Sequence, residues 1–209
     1  SESLFEIKIK GMGGHSSMPQ LGQDTITIGA EVVQTLQTII SRKLASGSGA
    51  VVSVTEFISD GQRNVLPGET ILKGDVRTRL PDDRKKIELY LNQIASGVAS
   101  AHDIDIDVFF ETEFVETINH TIPTEAVLKT AKRIGLKTNE CEPMSFSEDF
   151  SHFSNSVPGC FFLLGNGTDG ANNKPLHSND YDFNDALLPI GSDFWASLAK
   201  NRLSKEGSN

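Results

Sequence analysis

The sequence predicts a mixed α/β protein in which an antiparallel four-stranded sheet with two helices comes first and a second α/β segment follows. Two observations carry this prediction. Before residue 115, four strand-like stretches are separated by two stretches with apolar residues every three or four positions. After residue 115 the pattern changes to two helical stretches and one short run that is apolar throughout. The chain is therefore expected to have two structural parts.

The first part of the chain reads strand, helix, strand, strand, helix, strand. Strands are predicted over residues 4–10, 50–58, 70–78 and 104–110. The first helix begins after Asp24, a residue that caps helix N-termini well, and ends near Leu44. The second begins at Pro81, whose fixed φ suits a first turn. Its predicted buried stripe consists of Ile87, Leu91, Ile94 and Val98. This βαββαβ order is ferredoxin-like, and right-handed crossovers would place both helices on one face of the sheet.

The second part contains too few elements to form a core of its own. Helices are predicted over residues 121–134 and 185–203, and residues 160–164, CFFLL, are apolar on both faces. A strand of this kind suits the interior of a parallel sheet. Two helices cannot cover such a strand on both sides. We therefore expect residues 115–209 to be a portion of a larger α/β layer.

Composition and charge argue against several classes of protein. With 209 residues, of which 37% are hydrophobic, the chain is long enough to bury a sizeable core. Its net charge of −9 argues against a nucleic-acid or anionic-membrane partner. No apolar run approaches the ~18 residues that span a bilayer, and no signal peptide opens the sequence. The two cysteines make neither a disulfide framework nor a zinc ribbon, so we expect a cytoplasmic protein.

Two histidines stand where a loop would present them. His15 lies in GMGGHSSMP, between the first strand and the first helix, where glycines let the backbone turn sharply. His177 lies in KPLHSNDYDFND, on a loop before the closing helix, where a neutral imidazole can bind a divalent metal. The simpler alternative for each is an exposed loop histidine without a functional role.

Three further residues are candidates for binding a substrate. Asn64, in NVLP, and Arg77, in GDVR, lie at the two ends of the third-strand region, and an arginine fork with an amide is a natural clamp for a carboxylate. A surface ion pair between Arg77 and Asp75 is the alternative. Glu148 precedes Asp149 in SEDF. Adjacent acids on an extended segment point to opposite faces, so one can face a cleft while the other caps the following helix.

The order of these motifs resembles that of the M20 metallopeptidase family. The motifs in order are GGHSSMP, NVLPG, GDVRTR, SEDFSHF, PGCFFLLGNG and LHSNDYDFND, and they are most similar to the amidohydrolase branch of hippurate hydrolases and N-acyl-amino-acid deacylases. The resemblance covers essentially the whole chain. It implies that residues 1–114 are a dimerisation or lid domain and that residues 115–209 are the C-terminal portion of a catalytic domain.

The resemblance also implies roles for the candidate residues. His15 would be the lid histidine that reaches the partner subunit's active site and polarises the scissile carbonyl, and His177 would be the last metal ligand. Asn64 and Arg77 would bind the substrate carboxylate, and Glu148 matches an acid that follows the substrate-side turn. The implied reaction is metal-assisted hydrolysis of the amide bond of N-acyl amino acids or small peptides by a homodimer. The implied metal is zinc, manganese, cobalt or nickel.

One departure from the family is large. The C-H-x-C-G-H-D and E-E patterns, which carry most of the metal ligands and the glutamate general base, do not occur in these 209 residues. We therefore expect the chain alone to be catalytically inert and to hold no stoichiometric metal ion. A non-catalytic dimerisation or ligand-binding module with the same ferredoxin-like fold is the alternative function.

Overall fold

The computed structural model describes residues 1–204, apart from the side chain of Ala171. The chain divides into two compact units. Unit 1 comprises residues 1–117 and 143–152, and unit 2 comprises residues 118–142 together with the described chain from residue 153 onward.

Unit 1 is built on a four-stranded antiparallel sheet with the strand order β3-β5-β1-β6. Its strands are β1 (Glu2–Lys10), β3 (Val51–Ser59), β5 (Glu69–Arg77) and β6 (Asp105–Phe114). Two short strands, β2 (Gly14–His15) and β4 (Val65–Leu66), form a separate ladder. The four long strands and the helices between them confirm the predicted ferredoxin-like order. Within residues 1–204, β3 and β6 are the edges of the sheet.

The first helix begins where the sequence predicts. Asp24 caps α1 (Thr25–Thr38), because its Oδ1 accepts hydrogen bonds from the backbone N–H groups of Ile26 (3.1 Å) and Thr27 (3.4 Å). The helix continues as a π-helical turn over Ile39–Lys43 and ends next to Leu44, where the sequence predicts. The cap satisfies two of the N–H groups that a helix start leaves without an intrahelical partner.

The second helix also begins as predicted and buries the expected stripe. Pro81 occupies the first turn of α2 (Pro81–His102), and the helix ends at Asp103, whose φ of 53° lies in the left-handed region. The apolar stripe of α2 is buried at all four predicted positions, Ile87, Leu91, Ile94 and Val98. Burying side chains of this size stabilises a fold by about 1.5–3 kcal/mol each.

The two helices and the inner face of the sheet enclose an aliphatic core. Its fully buried members are Ile7, Ile9, Val32, Leu36, Ile39, Leu72, Val76, Ile87 and Leu91. Gly74 is needed where β5 passes the Phe5 ring, since a Cβ there would lie 2.2 Å from both Phe5 Cζ and the backbone oxygen of Ser53. The glycine therefore makes room for an aromatic side chain on the neighbouring strand.

The outer face of the sheet is charged. Three cross-strand ion pairs lie on it, Lys8–Glu69 (2.7 Å), Lys10–Asp107 (2.6 Å) and Lys73–Glu6 (3.6 Å). Exposed pairs of this kind contribute about 0–1 kcal/mol each to stability. Their main consequence is that this face suits water better than an apolar partner.

Unit 2 contains two longer helices, α3 (Thr121–Arg133) and α5 (Leu187–Leu203), and the division between the units falls within α4 (Phe150–Ser156). Asn201 of α5 donates to the hydroxyl of Thr130 in α3 (3.1 Å). The rings of Phe162, Phe194 and Trp195 cluster with centroids 5.0–5.7 Å apart. None of the helices in residues 1–204 is both long and apolar enough to cross a membrane.

The strand predicted over residues 160–164 is wrong for this chain. A strand needs a hydrogen-bonded neighbour, and no strand of residues 1–204 pairs with this segment. The side chain of Asn119 takes that place, because it accepts from the N–H of Phe161 (2.7 Å) and donates to its carbonyl (2.8 Å). Leu163 and Leu164 remain 50% and 45% exposed, so these two apolar side chains are only partly covered.

Candidate functional site

The β2–β4 ladder brings together two of the predicted site residues. His15 lies in β2, Asn64 immediately precedes β4, and the backbone N–H of Ser16 donates to the carbonyl of Asn64 (3.1 Å). Gly13 permits this approach, because a Cβ there would lie 2.8 Å from the backbone oxygen of Leu66. We call this pair of loops, with its two functional candidates, the His15–Asn64 arm.

The ring of His15 is exposed, and Ser17 holds it. Nδ1 lies 3.1 Å from the backbone nitrogen of Ser17 and 2.9 Å from its hydroxyl. A backbone N–H can only donate, so Nδ1 is the acceptor, and we assign the proton of the neutral ring to Nε2 from this hydrogen bond. Nε2–H has no partner within residues 1–204. The neutral ring therefore presents one accessible hydrogen-bond donor.

Arg77 ends β5 and is already engaged by acidic groups. Its Nη2 donates to Glu2 (2.7 Å), its Nε to Asp75 (2.8 Å) and its Nη1 to the hydroxyl of Ser147 (3.3 Å), which in turn donates to Glu2. Burial alone would lower the pKa of Arg77, but Asp75 and Glu2 outweigh burial and raise it. The Arg77–Asp75 ion pair expected as the alternative is present. A substrate carboxylate at Arg77 would have to share the guanidinium or displace Glu2.

Asn64 and Arg77 lie at opposite ends of β5. The strand starts shortly after Asn64 and ends at Arg77. Its nine residues extend over roughly 26 Å at a rise of about 3.3 Å per residue. One carboxylate therefore cannot contact both side chains of the same chain. The clamp predicted for this pair does not form within one chain, because an extended strand keeps the residues at its two ends apart.

Glu148 belongs to the Arg77 end of unit 1. It follows Ser147, which contacts Arg77, and its side chain is half-buried. Its backbone carbonyl accepts from the N–H of Ser151 (3.1 Å), which helps start α4. Unit 1 therefore carries two separate groups of candidates, the His15–Asn64 arm and the cluster of Arg77 with Ser147 and Glu148.

His177 lies in a loop of unit 2 that two asparagines close at its base. Nδ2 of Asn166 donates to the carbonyl of Asp182 (2.9 Å). The backbone N–H of Asn184 donates to Oδ1 of Asn166 (2.8 Å), and its side-chain amide donates to the carbonyl of Asn166 (3.0 Å). Together these three hydrogen bonds fix both ends of the loop just before α5 begins.

The backbone at His177 is strained and its side chain is accessible. Its φ of 67° lies in the left-handed region, which costs an ordinary residue about 1–2 kcal/mol. Lys174 and Asp180 pair across this turn (2.7 Å), and the hydrogen bond from Lys174 lowers the pKa of Asp180. The exposed imidazole makes no hydrogen bond within residues 1–204. Strain of this kind is kept where the surrounding structure enforces it, often at functional sites.

His177 fits a metal as a single ligand. Its imidazole is accessible and is a common ligand for divalent ions. Within residues 1–204, no three His, Cys, Asp or Glu side chains converge to hold a metal ion. One imidazole leaves the rest of the coordination to water, so this chain by itself supplies too few donors for tight binding.

Two features of these sites were not predicted from the sequence. The contact between Ser17 and His15 depends on loop geometry that no periodicity encodes. Asn166, in GNG, and Asn184, in FND, do carry a signal, since asparagine is a frequent turn residue and the two flank the loop. Nothing in the sequence indicates that they bond to each other.

A family model matches part of unit 1 of this chain. Residues 4–103 match the M20 peptidase dimerisation domain family. Over 203 residues the chain is 32% identical to N-acetyldiaminopimelate deacetylase of Leuconostoc mesenteroides, a match that covers 96% of this chain and 52% of the relative. The chain therefore spans about half the length of this curated relative.

The chain is also similar to solved structures over nearly its whole length. A protein from methicillin-resistant Staphylococcus aureus, described as an aminohydrolase, is 27% identical with a TM-score of 0.91, over 97% of this chain and 53% of that one. A dinuclear metal-binding peptidase of the M20 family from Bacillus subtilis shares the fold, with 24% identity and a TM-score of 0.78 over 97% of this chain and 50% of that one. The dimerisation-domain match and the relatives together place this chain in the M20 family of peptidases and amidohydrolases.

Proposed function

We propose that this chain is the dimerisation domain and a C-terminal catalytic portion of a metal-dependent M20 amidohydrolase that cleaves the amide bond of N-acyl amino acids or small peptides. The observation that carries the proposal is the His15–Asn64 arm, which presents an accessible Nε2–H on His15 and carries the exposed residue Asn64 on the paired loop. A donor of this kind can stabilise the negative charge that develops on an amide carbonyl oxygen. The N-acetylated amino acid in the name of the Leuconostoc relative supports the substrate class.

The other candidates take roles that suit their chemistry. Asn64 and Arg77 offer an amide and a guanidinium to a substrate carboxylate. Glu148, which follows Ser147 in the Arg77 cluster, would face the substrate. His177 is the residue of this chain that would hold a divalent metal. The metal, zinc, manganese, cobalt or nickel, supplies polarisation of the carbonyl and a water of lowered pKa when it is bound.

A homodimer through residues 1–114 explains why the candidates are spread over unit 1. Asn64 and Arg77 of one chain are separated by roughly the length of β5, about 26 Å. Two subunits related by a two-fold axis each lend the other the same surface. The His15–Asn64 arm of one subunit then serves the active site of its neighbour, and the neighbour's arm serves the active site of the first subunit.

Hydrolysis by the complete protein tests this function. We call the product of the complete reading frame that contains these 209 residues the whole protein. It should release the amino acid from N-acyl amino acids, and EDTA or His177→Ala should abolish the reaction, because both remove metal. Asn173→Ala, at an exposed position in the same loop, is the control and should keep activity. A whole protein that hydrolyses no N-acyl amino acid or peptide, or does so equally well in EDTA, would contradict the proposal.

The 209-residue chain alone should behave differently. We expect no hydrolysis and only weak zinc binding, because one imidazole without further ligands leaves coordination to water. Product assays and titration calorimetry with zinc measure both properties. Tight stoichiometric zinc binding by the chain alone that is lost in His177→Ala would show that it carries a ligand set beyond His177.

A further inference from the structure

We infer that Arg63, at the tip of the His15–Asn64 arm, is a specificity-determining residue that binds a second carboxylate of the substrate, besides the carboxylate assigned to Asn64 and Arg77. This inference rests on the function proposed above and narrows its substrates to N-acyl amino acids that carry two carboxylates. The second carboxylate belongs either to the side chain of the amino acid or to the acyl group. Both sources present the same planar pair of oxygens, which an arginine fork matches.

Arg63 lies at the tip of a tight turn. Gln62 and Val65 close the turn, because the backbone N–H of each donates to the carbonyl of the other, and both distances are 3.1 Å. Arg63 and Asn64 are the two residues between them, and both are exposed. A turn closed in this way fixes the backbone from which the Arg63 side chain starts.

The tip of this turn adjoins the loop that carries His15. The backbone N–H of Ser16 donates to the carbonyl of Asn64 (3.1 Å), and Val65 is the cross-strand partner of His15. Arg63 precedes that partner by two residues, a diagonal separation that long side chains span in a two-stranded ladder. An active site that receives His15 from the arm therefore has Arg63 close by.

The guanidinium of Arg63 is not engaged by any other group of residues 1–204. Two other arginines of unit 1 are held by carboxylates, since Arg77 donates to Glu2 (2.7 Å) and Arg84 donates to Glu116 (3.2 Å). A guanidinium held in this way must give up one carboxylate to bind another. Arg63 can bind a substrate carboxylate without breaking an ion pair of its own chain.

The charge of the arm favours an anion at its tip. Residues 11–23 and 61–68 contain no Asp, Glu or Lys, and Arg63 is their single arginine, although the whole chain has a net charge of −9. Asp60 is the acid nearest to Arg63 in sequence, and its side chain accepts from the backbone N–H of Glu69 (3.0 Å). The local field at the tip is therefore set by a cation, and it favours a substrate with an additional negative charge.

Two matched pairs of substrates test this role in the whole protein. N-acetylglutamate and N-acetylglutamine differ in the charge of the amino-acid side chain, and N-succinyl-leucine and N-butanoyl-leucine differ in the charge of the acyl group. The wild type should cleave the charged member of one pair with a kcat/KM at least about tenfold higher, since hydrogen bonds between charged groups are strong. The pair that shows the preference identifies which part of the substrate carries the second carboxylate.

Three variants separate Arg63 from a general effect of charge. Arg63→Ala should bring the preference to within about twofold of unity, mainly through KM, because the bound carboxylate is remote from the reacting carbonyl. Arg63→Lys should keep part of the preference, since lysine retains the charge but not the fork. Arg42→Ala, at an exposed position on the π-helical turn after α1, removes the same charge outside the arm and should leave the preference unchanged.

The possible failures are distinguishable. A preference that survives in Arg63→Ala, or a wild type without preference in either pair, would overturn the inference while leaving the hydrolysis of N-acyl amino acids intact. Loss of the dimer mass in Arg63→Ala, measured by light scattering, would assign the residue to subunit association and would also overturn it. A whole protein that cleaves none of the four substrates would contradict the proposed function itself, and this inference with it.

Discussion

Glu116→Ala should lower the free energy of unfolding of unit 1 by about 3 kcal/mol, because it removes one partner of a buried ion pair. Glu116 is 3% exposed, and its Oε1 accepts from the hydroxyl of Thr78 (2.6 Å) and from Nε of Arg84 (3.2 Å). The side chain of Arg84 is 17% exposed, so water can replace the lost carboxylate only in part. Arg84 would keep its contact with the hydroxyl of Thr112 (3.4 Å), so the expected loss is no larger than about 3 kcal/mol.

Urea unfolding followed by far-UV circular dichroism measures this loss. The single tryptophan, Trp195, lies in unit 2, so its fluorescence does not follow unit 1. Glu111→Ala, at an exposed acidic position on β6, is the matched control and should change stability by less than about 0.5 kcal/mol. A loss below about 1 kcal/mol for Glu116→Ala would show that the pair behaves like a surface ion pair.

The pH dependence of stability follows from the same carboxylate. Burial opposes the charge on Glu116, but hydrogen bonds from Thr78, from its own backbone and from Arg84 outweigh burial and hold its pKa below the ordinary value of 4.5. The unfolded chain therefore binds a proton to this group more readily than the folded chain. The stabilisation is complete above the unfolded pKa and is lost as the pH falls through the folded pKa. The stability difference between wild type and Glu116→Gln should shrink over that range.

His15→Ala in the whole protein should lower kcat by about 10²–10³ with little change in KM, because it removes a donor that matters most when charge develops on the carbonyl oxygen. The side chain is exposed and its hydrogen bonds within residues 1–204 go to Ser17, so stability, metal content and dimer mass should stay unchanged. Met18→Ala, at an exposed position in the same loop, is the control. A raised KM with kcat intact would assign His15 to substrate binding alone.

Local signals predicted the elements of unit 1 because local physics determines them. Alternation placed β1, Asp24 placed the start of α1 and Pro81 placed the start of α2, since strand faces and helix caps depend on near neighbours in sequence. Residues 160–164 show the limit of this reasoning. Their apolar run indicates that a covering partner is needed, but it does not show whether a strand of this chain provides one.

The sequence indicates candidate residues for the site but not how they are arranged. His15 and Asn64 meet because β2 pairs with β4, a ladder of two residues per strand that is too short to leave a periodic signal. Asn64 and Arg77 were expected to act together, yet β5 separates them along its whole length. Such relations depend on tertiary contacts and on strand length, and both become evident only when the chain is folded.

Mixing inactive subunits of the whole protein tests most directly whether the His15–Asn64 arm serves the neighbouring subunit. His15→Ala and His177→Ala subunits should be combined in equal amounts under conditions where mass measurements show that subunits exchange. Half of the dimers are then hybrids, and each hybrid holds one active site with both histidines intact. The account predicts recovery of about a quarter of wild-type activity, as random pairing in a two-fold dimer requires.

A second mixture supplies the matched control. His15→Ala and Asn64→Ala subunits each carry a defect in the same arm, so no hybrid holds an intact arm and activity should stay at the level of the separate variants. Recovery in the first mixture and none in the second is the predicted result. If the first mixture recovers nothing although hybrids are demonstrably present, His15 does not act on the neighbouring subunit and the central claim is wrong.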